Sequence, residues 1–302
     1  MNGKLLLAVN PCSGKGRTKR VLLEIVSMLT EGGCEVTVLP TKPGTETPKK
    51  IAALLKAGNG YDLVAACGGD GTLHLVVDGV LQAGTNTPIG YIPMGTTNDF
   101  AASLGIPASW RDAVQALLDA NPVKHDIGFF NGRPYTYIAC CGAFAETSFS
   151  TSQSLKNQLG HTAYVLGALP ALTSLHPLQL EIEADGLCLA GSFLFCALAN
   201  TRSVAGMVQL TPEQVHFQDG KFELFLIHYP NSLLDAGKLA AKLLASEIDD
   251  PLIQLYPVSS CKIRSASPVS WSLDGEDGGK HTEISLSVEK TAIDILKSAK
   301  TS

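Results

Sequence analysis

Four short apolar runs, Leu5–Val9, Cys34–Leu39, Leu63–Cys67 and Ile89–Ile92, each hand over to a polar turn rich in glycine or proline. Leu5–Val9 and Leu63–Cys67 are apolar throughout, without alternation, which suits strands covered on both faces, the situation of a parallel sheet flanked by helices. After the first run, Val21, Leu22, Ile25, Met28 and Leu29 recur at i, i+1, i+4, i+7 and i+8, and Gly32-Gly33 end that stripe. After the second, Thr47-Pro48 are expected to cap a helix carrying Ile51, Leu54 and Leu55. Leu73–Leu81 is a helical segment after the third. The repeat predicts an α/β domain built on a parallel sheet, which collects ligands outside the carboxyl ends of its strands.

Three polar loops lie at such ends: Asn10 to Gly16, Gly68-Gly69-Asp70-Gly71-Thr72, and Pro93 to Phe100. The pentad suits phosphate. Its glycines let the backbone approach a ligand, N–H groups beside a helix start attract anions, and Asp70 is left to meet a metal ion. Taken alone it also reads as a tight strand-to-helix turn. Gly14-Lys15-Gly16 has neither the spacing nor the hydroxyl of a Walker P-loop, which disfavours an ATPase of that type.

Beyond the helix Trp110–Leu118, capped by Ser109, the pattern changes near Val123. β-prone runs take over at Tyr135–Cys140, Leu178–Ile182, Phe193–Ala197, Phe222–Ile227, Cys261–Arg264, Ser270–Leu273, Ile284–Val288 and Ala292–Leu296. They predict a β-rich antiparallel domain, interrupted by helically spaced stretches at Ala163–Leu175 and Leu233–Leu244. The expected division is 1–122 and 123–302, with roughly the last 15 residues packing back on the first domain.

Composition removes several classes. A net charge of −5 and a pI near 5.8 give no basic footprint for nucleic acid. Leu5–Val9 is too short for a signal-peptide core and no run approaches the ~18 apolar residues of a membrane span, which points to the cytoplasm. The eight cysteines, at 12, 34, 67, 140, 141, 188, 196 and 261, show no metal spacing and read as buried free thiols, with Cys140-Cys141 inside a strand.

Taken in order, Asn10-Pro11-x-Ser13-Gly14, Gly68-Gly69-Asp70-Gly71-Thr72 and Pro93-x-Gly95-Thr96-x-Asn98-Asp99-Phe100 resemble the bacterial soluble diacylglycerol kinase and related lipid kinase family. The resemblance continues in Lys156-x-x-x-Gly160-x-x-x-Tyr164, Asp219-Gly220 and Asp274-Gly275-Glu276. It implies a NAD-kinase-like nucleotide-binding domain with a parallel sheet, a β-rich lipid-substrate domain, and ATP and lipid meeting in a cleft with Mg²⁺. By that resemblance Asn10, Pro11, Cys12, Ser13, Gly14, Thr41, Gly68, Gly69, Asp70, Gly71, Thr72, Leu73, His74 and Thr96 hold the nucleotide. Asp70 takes Mg²⁺ directly or through water, and Glu276, in a partly dry setting, accepts the proton of the lipid hydroxyl. Asp219, with the carbonyls of His216 and Lys221, is implied to hold a structural Mg²⁺. The partner is a lipid at a membrane surface, met peripherally and transiently, and a homodimer is left open.

The chain departs from the family pattern at Leu75, usually Glu, at Ala102, often Arg, and at Gln218, often a second acid before Asp-Gly. Asp219-Gly220 therefore also reads as a plain turn, and Asp274 to Gly279 alone as a solvated hairpin. Three functions stay open. One is a lipid kinase, with diacylglycerol as the leading acceptor and phosphatidic acid as product. Another is a kinase for a soluble acceptor such as NAD. The third is a nucleotide-binding regulator that has lost catalysis.

Overall fold

A computed structural model describes residues 3–42, 44–96, 98–143, 176–204, 208–245 and 247–297. Lys156, Gly160, Tyr164 and the stretch Ala163–Leu175 lie outside the described residues. The chain divides into two units, Met1–Ile127 with Lys290–Ser302, and Gly128–Glu289.

The first unit runs β1 (Gly3–Val9), α1 (Ser13–Glu31), β2 (Cys34–Pro40), α2 (Glu46–Lys56), β3 (Tyr61–Gly68), α3 (Asp70–Ala83), β4 (Ile89–Pro93), α4 (Asp99–Leu104) and α5 (Trp110–Leu118). The strands lie in the order β4-β3-β1-β2, each pair parallel. Successive residues Leu5, Leu6 and Leu7, and likewise Val64, Ala65 and Ala66, are all buried, so both faces of the sheet are covered. That is why these strands read as unbroken apolar runs. On one face Leu5, Leu7, Ala65 and Cys67 pack with Ile25 and Leu29 of α1 and with Trp110, Val114 and Leu117 of α5.

Helix starts differ from expectation in two places. Thr47 does not cap α2, which begins at Glu46; its hydroxyl donates to the Lys42 carbonyl and accepts the Lys42 N–H, both at 3.0 Å. Ser109 precedes α5 in extended conformation, but only its carbonyl is used, by the Ala113 N–H at 2.8 Å.

The second unit is reached through β5 (Asn121–Phe130) and continues as β6 (Arg133–Tyr135), β7 (Ile138–Gly142), β8 (Leu178–Ala184), β9 (Leu187–Ala199), β10 (Ser203–Val204), β11 (Val208–Gln209), β12 (Phe222–His228), α6 (Leu233–Ala245), β13 (Ile253–Val258), β14 (Ser260–Leu273) and β15 (Glu276–Lys297). The chain changes units within β5, later than the expected 122/123, because His125 and Asp126 are tied into the first unit. The His125 ring meets Phe100 edge-on at 5.2 Å, and Asp126 Oδ1 accepts the Thr291 N–H at 2.6 Å. In the second unit the order is β13-β12-β9-β7-β14-β15, with every pairing antiparallel. β7 and β8 occupy, end to end, the lane between β9 and β14. Phe193, Leu198, Phe222, Leu224, Ile263, Trp271 and Leu286 build the core on one face. The end of β15 belongs to the first unit, where Ile295 pairs parallel to Ile89.

The run expected as one strand over Tyr135–Cys140 breaks at Thr136-Tyr137. The amides of Thr136, Tyr137 and Ile138 bond to the carboxylate of Asp274. Six cysteines are buried, Cys140 and Cys141 inside β7 among them, whereas Cys12 and Cys188 are exposed. Among the described residues no helix is long and apolar enough to cross a membrane.

Candidate active site

The three loops after β1, β3 and β4 touch through their backbones. The Asn10 N–H donates to the Cys67 carbonyl at 3.0 Å and the Met94 N–H to the Gly68 carbonyl at 2.7 Å. Thr41, at the end of β2, donates its N–H to the Val9 carbonyl at 2.7 Å. Approach is so close that side chains are excluded. A Cβ on Gly95 would lie 2.6 Å from the Gly69 Cα, and one on Gly14, whose φ is +59°, would lie 2.7 Å from the Met94 carbonyl oxygen. Gly14, Lys15 and Gly16 are all left-handed, so the regular part of α1 starts after them. Asn10 shapes the turn by accepting the Cys12 N–H on Oδ1 at 2.9 Å, and Thr18 Oγ1 closes it on the Ser13 carbonyl at 3.3 Å.

The nucleotide residues expected from sequence fall into two groups. Asn10, Pro11, Cys12, Ser13, Gly14, Thr41, Gly69, Gly71 and Thr96 reach solvent at this strand-end surface. Gly68, Thr72, Leu73 and His74 are buried beneath it. The Leu73 side chain is fully buried and its N–H bonds to the Gly69 carbonyl, because helical periodicity turns that position inward.

Asp70 opens α3, where a carboxylate is favoured by the helix dipole. It is buried and anchored, with Oδ1 accepting the Tyr91 hydroxyl at 3.1 Å and Oδ2 accepting the Asp99 N–H at 3.0 Å. Tyr91 also lies 3.2 Å from Asn98 Oδ1, which accepts the Gly95 N–H at 2.9 Å, while Asn98 Nδ2 donates to the Gly95 carbonyl at 3.1 Å. Asn98 holds a φ of +53°, a left-handed conformation that asparagine tolerates. Burial, and then the negative Asp70, hold the Tyr91 phenol well above its ordinary pKa, so it remains a donor. Burial also raises the Asp99 carboxyl. Sequence reasoning assigned no role to Tyr91, Asp99 or the fully buried Asp126. The available signal for the last was a charged residue inside the run His125 to Phe130.

Among the described residues no group of three or more His, Cys, Asp or Glu is arranged to hold a metal. Asp70 and Asp99 provide hard oxygen atoms at the strand-end loops. That set fits Mg²⁺ arriving on phosphate oxygens with its waters better than a protein cage.

In the second unit, Asp274 and Gly275 have φ of +52° and +83° and form the turn between β14 and β15, as a tight hairpin requires. The turn is anchored rather than solvated. Asp274 is buried and accepts the Thr136 N–H and Oγ–H at 2.6 and 2.8 Å, and the Tyr137 and Ile138 N–H groups at 2.9 and 3.1 Å. Glu276 then begins β15 opposite Leu273 and is exposed. Beyond it, Asp277 Oδ1 accepts the Gly279 N–H at 2.9 Å and the Asp277 carbonyl accepts Arg133 at 3.1 Å.

Asp219 closes a turn into β12, its Oδ1 accepting the Lys221 N–H at 2.9 Å, and Gly220 has φ of +82°. These are the contacts of an Asp-Gly turn. Lys221 and His216 are exposed. Close by, Glu223 is buried within β12 and its Oε2 has no hydrogen-bond partner. Burial foremost, with added repulsion from Asp219, pushes its carboxyl up to about 8.

Residues 4–130 match the family described as diacylglycerol kinase catalytic domain, and residues 141–297 match the YegS C-terminal NAD kinase beta sandwich-like domain. A diacylglycerol kinase of Staphylococcus carnosus (strain TM300) is 33% identical over 93% of this chain and 90% of its own length. The chain belongs to the diacylglycerol kinase catalytic-domain family. Another relative in this family, the diacylglycerol kinase of Bacillus subtilis (strain 168), is 34% identical over 89% of this chain and 88% of its own. A crystal structure of a diacylglycerol kinase from Bacillus anthracis str. Sterne covers 99% of this chain and 98% of that one with a TM-score of 0.76 at 18% identity, a likeness of fold.

Proposed function

We propose that this diacylglycerol kinase family chain transfers the γ-phosphoryl group of ATP to the free hydroxyl of diacylglycerol, giving phosphatidic acid. The observation that carries the proposal is the backbone convergence of the three strand-end loops around a buried, anchored Asp70. Such a surface offers N–H groups and a helix start to phosphates and leaves no room for side chains between the loops.

Phosphoryl transfer asks the protein to position groups and balance charge. The loops from Asn10 to Gly14 and from Gly68 to Thr72, with Thr41 and Thr96, hold the nucleotide. Tyr91 and the Asp99 N–H fix the orientation of the Asp70 carboxylate. Mg²⁺, when bound, neutralises charge on the phosphate oxygens. Glu276 accepts the acceptor's hydroxyl proton as its oxygen bonds to the γ-phosphorus and ADP leaves. Asp274 is a positioning residue that holds the turn carrying Glu276. Asp219 with the carbonyls of His216 and Lys221 is proposed as a structural Mg²⁺ site, and the setting is a cytoplasmic enzyme that meets membranes peripherally.

The test is a panel of diacylglycerol, a sphingoid base, ceramide, a polyprenol and NAD⁺ offered with ATP and Mg²⁺, with products identified by mass spectrometry. Phosphatidic acid as the dominant product supports the proposal. Phosphorylated NAD with every lipid refused contradicts it, as does ATP binding with no transfer to any acceptor.

A further inference from the structure

We infer that the first turn of α6 is a membrane-contact element that sinks Leu233 and Leu234 into a lipid bilayer. The inference rests on the lipid-kinase reading above, because an acceptor that lives in a bilayer has to be met there. Among the described residues the exposed large hydrophobics are Leu23, Val38, Leu233 and Leu234, and only the last two are neighbours, at 71% and 68% exposure.

The pair sits just after a capped helix start. Ser232 Oγ accepts the Asp235 N–H at 3.1 Å and donates to Asp235 Oδ2 at 2.7 Å, and the Ser232 carbonyl accepts the Ala236 N–H at 3.0 Å. This is a side-chain N-cap that fixes where the helix begins. On the opposite face Ala236, Leu239, Ala240 and Leu243 are buried and fasten α6 to its unit. The outward row Leu234, Lys238, Ala241 and Ala245 follows i, i+4, i+7 and i+11, is exposed throughout, and carries no carboxylate.

Charge along the helix favours a bilayer as the occupant. The leucine end bears the exposed cation Lys238, and its one acid, Asp235, is engaged by the Ser232 hydroxyl. The acids Glu247, Asp249 and Asp250 lie past the other end, where Lys242 bonds to the Asp249 carbonyl and pairs with Asp250 at 4.0 Å. With the leucine end dipped, Lys238 can lay its methylene stem along the apolar layer and raise its ammonium to headgroup phosphates, while the acidic end stays in water.

The test uses the full chain and sedimentation with vesicles of phosphatidylcholine containing about one part in four phosphatidylglycerol. Wild type should bind, the double variant Leu233→Gln/Leu234→Gln should bind at least about tenfold more weakly, and Lys238→Gln about two- to threefold more weakly. Leu23→Gln, exposed on the first unit, should bind as wild type does. Leu234→Trp should keep binding and shift its emission to the blue when vesicles are added. Equal vesicle binding by the double variant and wild type overturns the assignment. So does a change confined to the protein's own sedimentation in the absence of vesicles, which would make the patch a contact between two copies. Phosphorylation of a short-chain diacylglycerol dispersed without bilayer separates the two ideas. Its absence in wild type sinks the kinase reading, whereas retained turnover by the double variant there, with vesicle binding lost, is the result the inference expects.

Discussion

The carboxylate of Asp274 accepts both the N–H and the hydroxyl of Thr136, at 2.6 and 2.8 Å, and so ties the turn before Glu276 to the segment between β6 and β7. With the Tyr137 and Ile138 amides it meets four donors. Asp274→Asn turns an NH₂ towards groups that also donate. It should cost ~2–4 kcal/mol in urea unfolding, the range for breaking a buried charged hydrogen-bond set. Thr136→Val keeps the backbone bond and should cost about 1 kcal/mol. Equal stability of all three proteins would show that the anchor contributes nothing.

Gly95→Ala and Gly14→Ala should each weaken nucleotide binding by about tenfold or more, because the loops can accommodate a methyl group only by moving apart. Gly14 adds a backbone penalty through its positive φ. Calorimetric titration with a non-hydrolysable ATP analogue checks this, and Gly186→Ala, at a turn with nothing within 4 Å of the added carbon, is the control for general strain.

Asp70→Asn can still accept the Asp99 N–H but loses its charge, so turnover should fall about 10²–10³-fold with the fold intact. Tyr91→Phe removes the hydroxyl shared by Asp70 and Asn98 and should lower turnover more modestly, about tenfold, and stability by ~1–2 kcal/mol. Steady-state kinetics alongside thermal melts separate the two effects. A Tyr91→Phe protein as impaired as Asp70→Asn would mean that the tyrosine itself takes part in transfer.

Two buried groups set opposite pH dependences of stability. Glu223 rises from 4.5 to about 8, so the folded protein keeps a proton that the unfolded chain releases, and stability falls as pH climbs from 4.5 to 8. Burial lowers His125 from 6.5 to about 3, so the unfolded chain takes up the proton first and stability falls as pH drops from 6.5 to 3. Of this pair only the Glu223 slope remains above pH 6.5. Urea unfolding should therefore show a loss of about 2 kcal/mol between pH 6.5 and 8, and Glu223→Gln should flatten it. A slope unchanged by that substitution would remove Glu223 as its source.

Local features were legible in the sequence, and long-range ones were not. Leu5–Val9 and Leu63–Cys67 announce their strands because both faces are buried, and Gly68 to Thr72 announces a turn because little else tolerates that approach. β14 and β15 read as separate halves because Ser265 to Pro268 and Glu289 to Thr291 carry no large apolar side chain and are exposed or half-exposed, so apolar pattern fails where the strand leaves the core. β13 was missed because Gln254 and Pro257 interrupt its pattern, and a proline is tolerated there because the strand lies at the end of the sheet order. The pairings Asp70 with Tyr91 and Asp274 with Thr136 join residues 21 and 138 positions apart. No local spacing encodes them. In the same way, Glu276 was marked as a base by motif alone, and its exposure depends on surroundings that the motif does not contain.

The most direct test of the central claim is transfer of labelled γ-phosphate from ATP to diacylglycerol by wild type and by Glu276→Gln, with ATP-analogue binding measured on both. Labelled phosphatidic acid is expected from wild type, with a loss of about 10²-fold or more in the variant and unchanged nucleotide affinity. Equal turnover by the two proteins would contradict that claim.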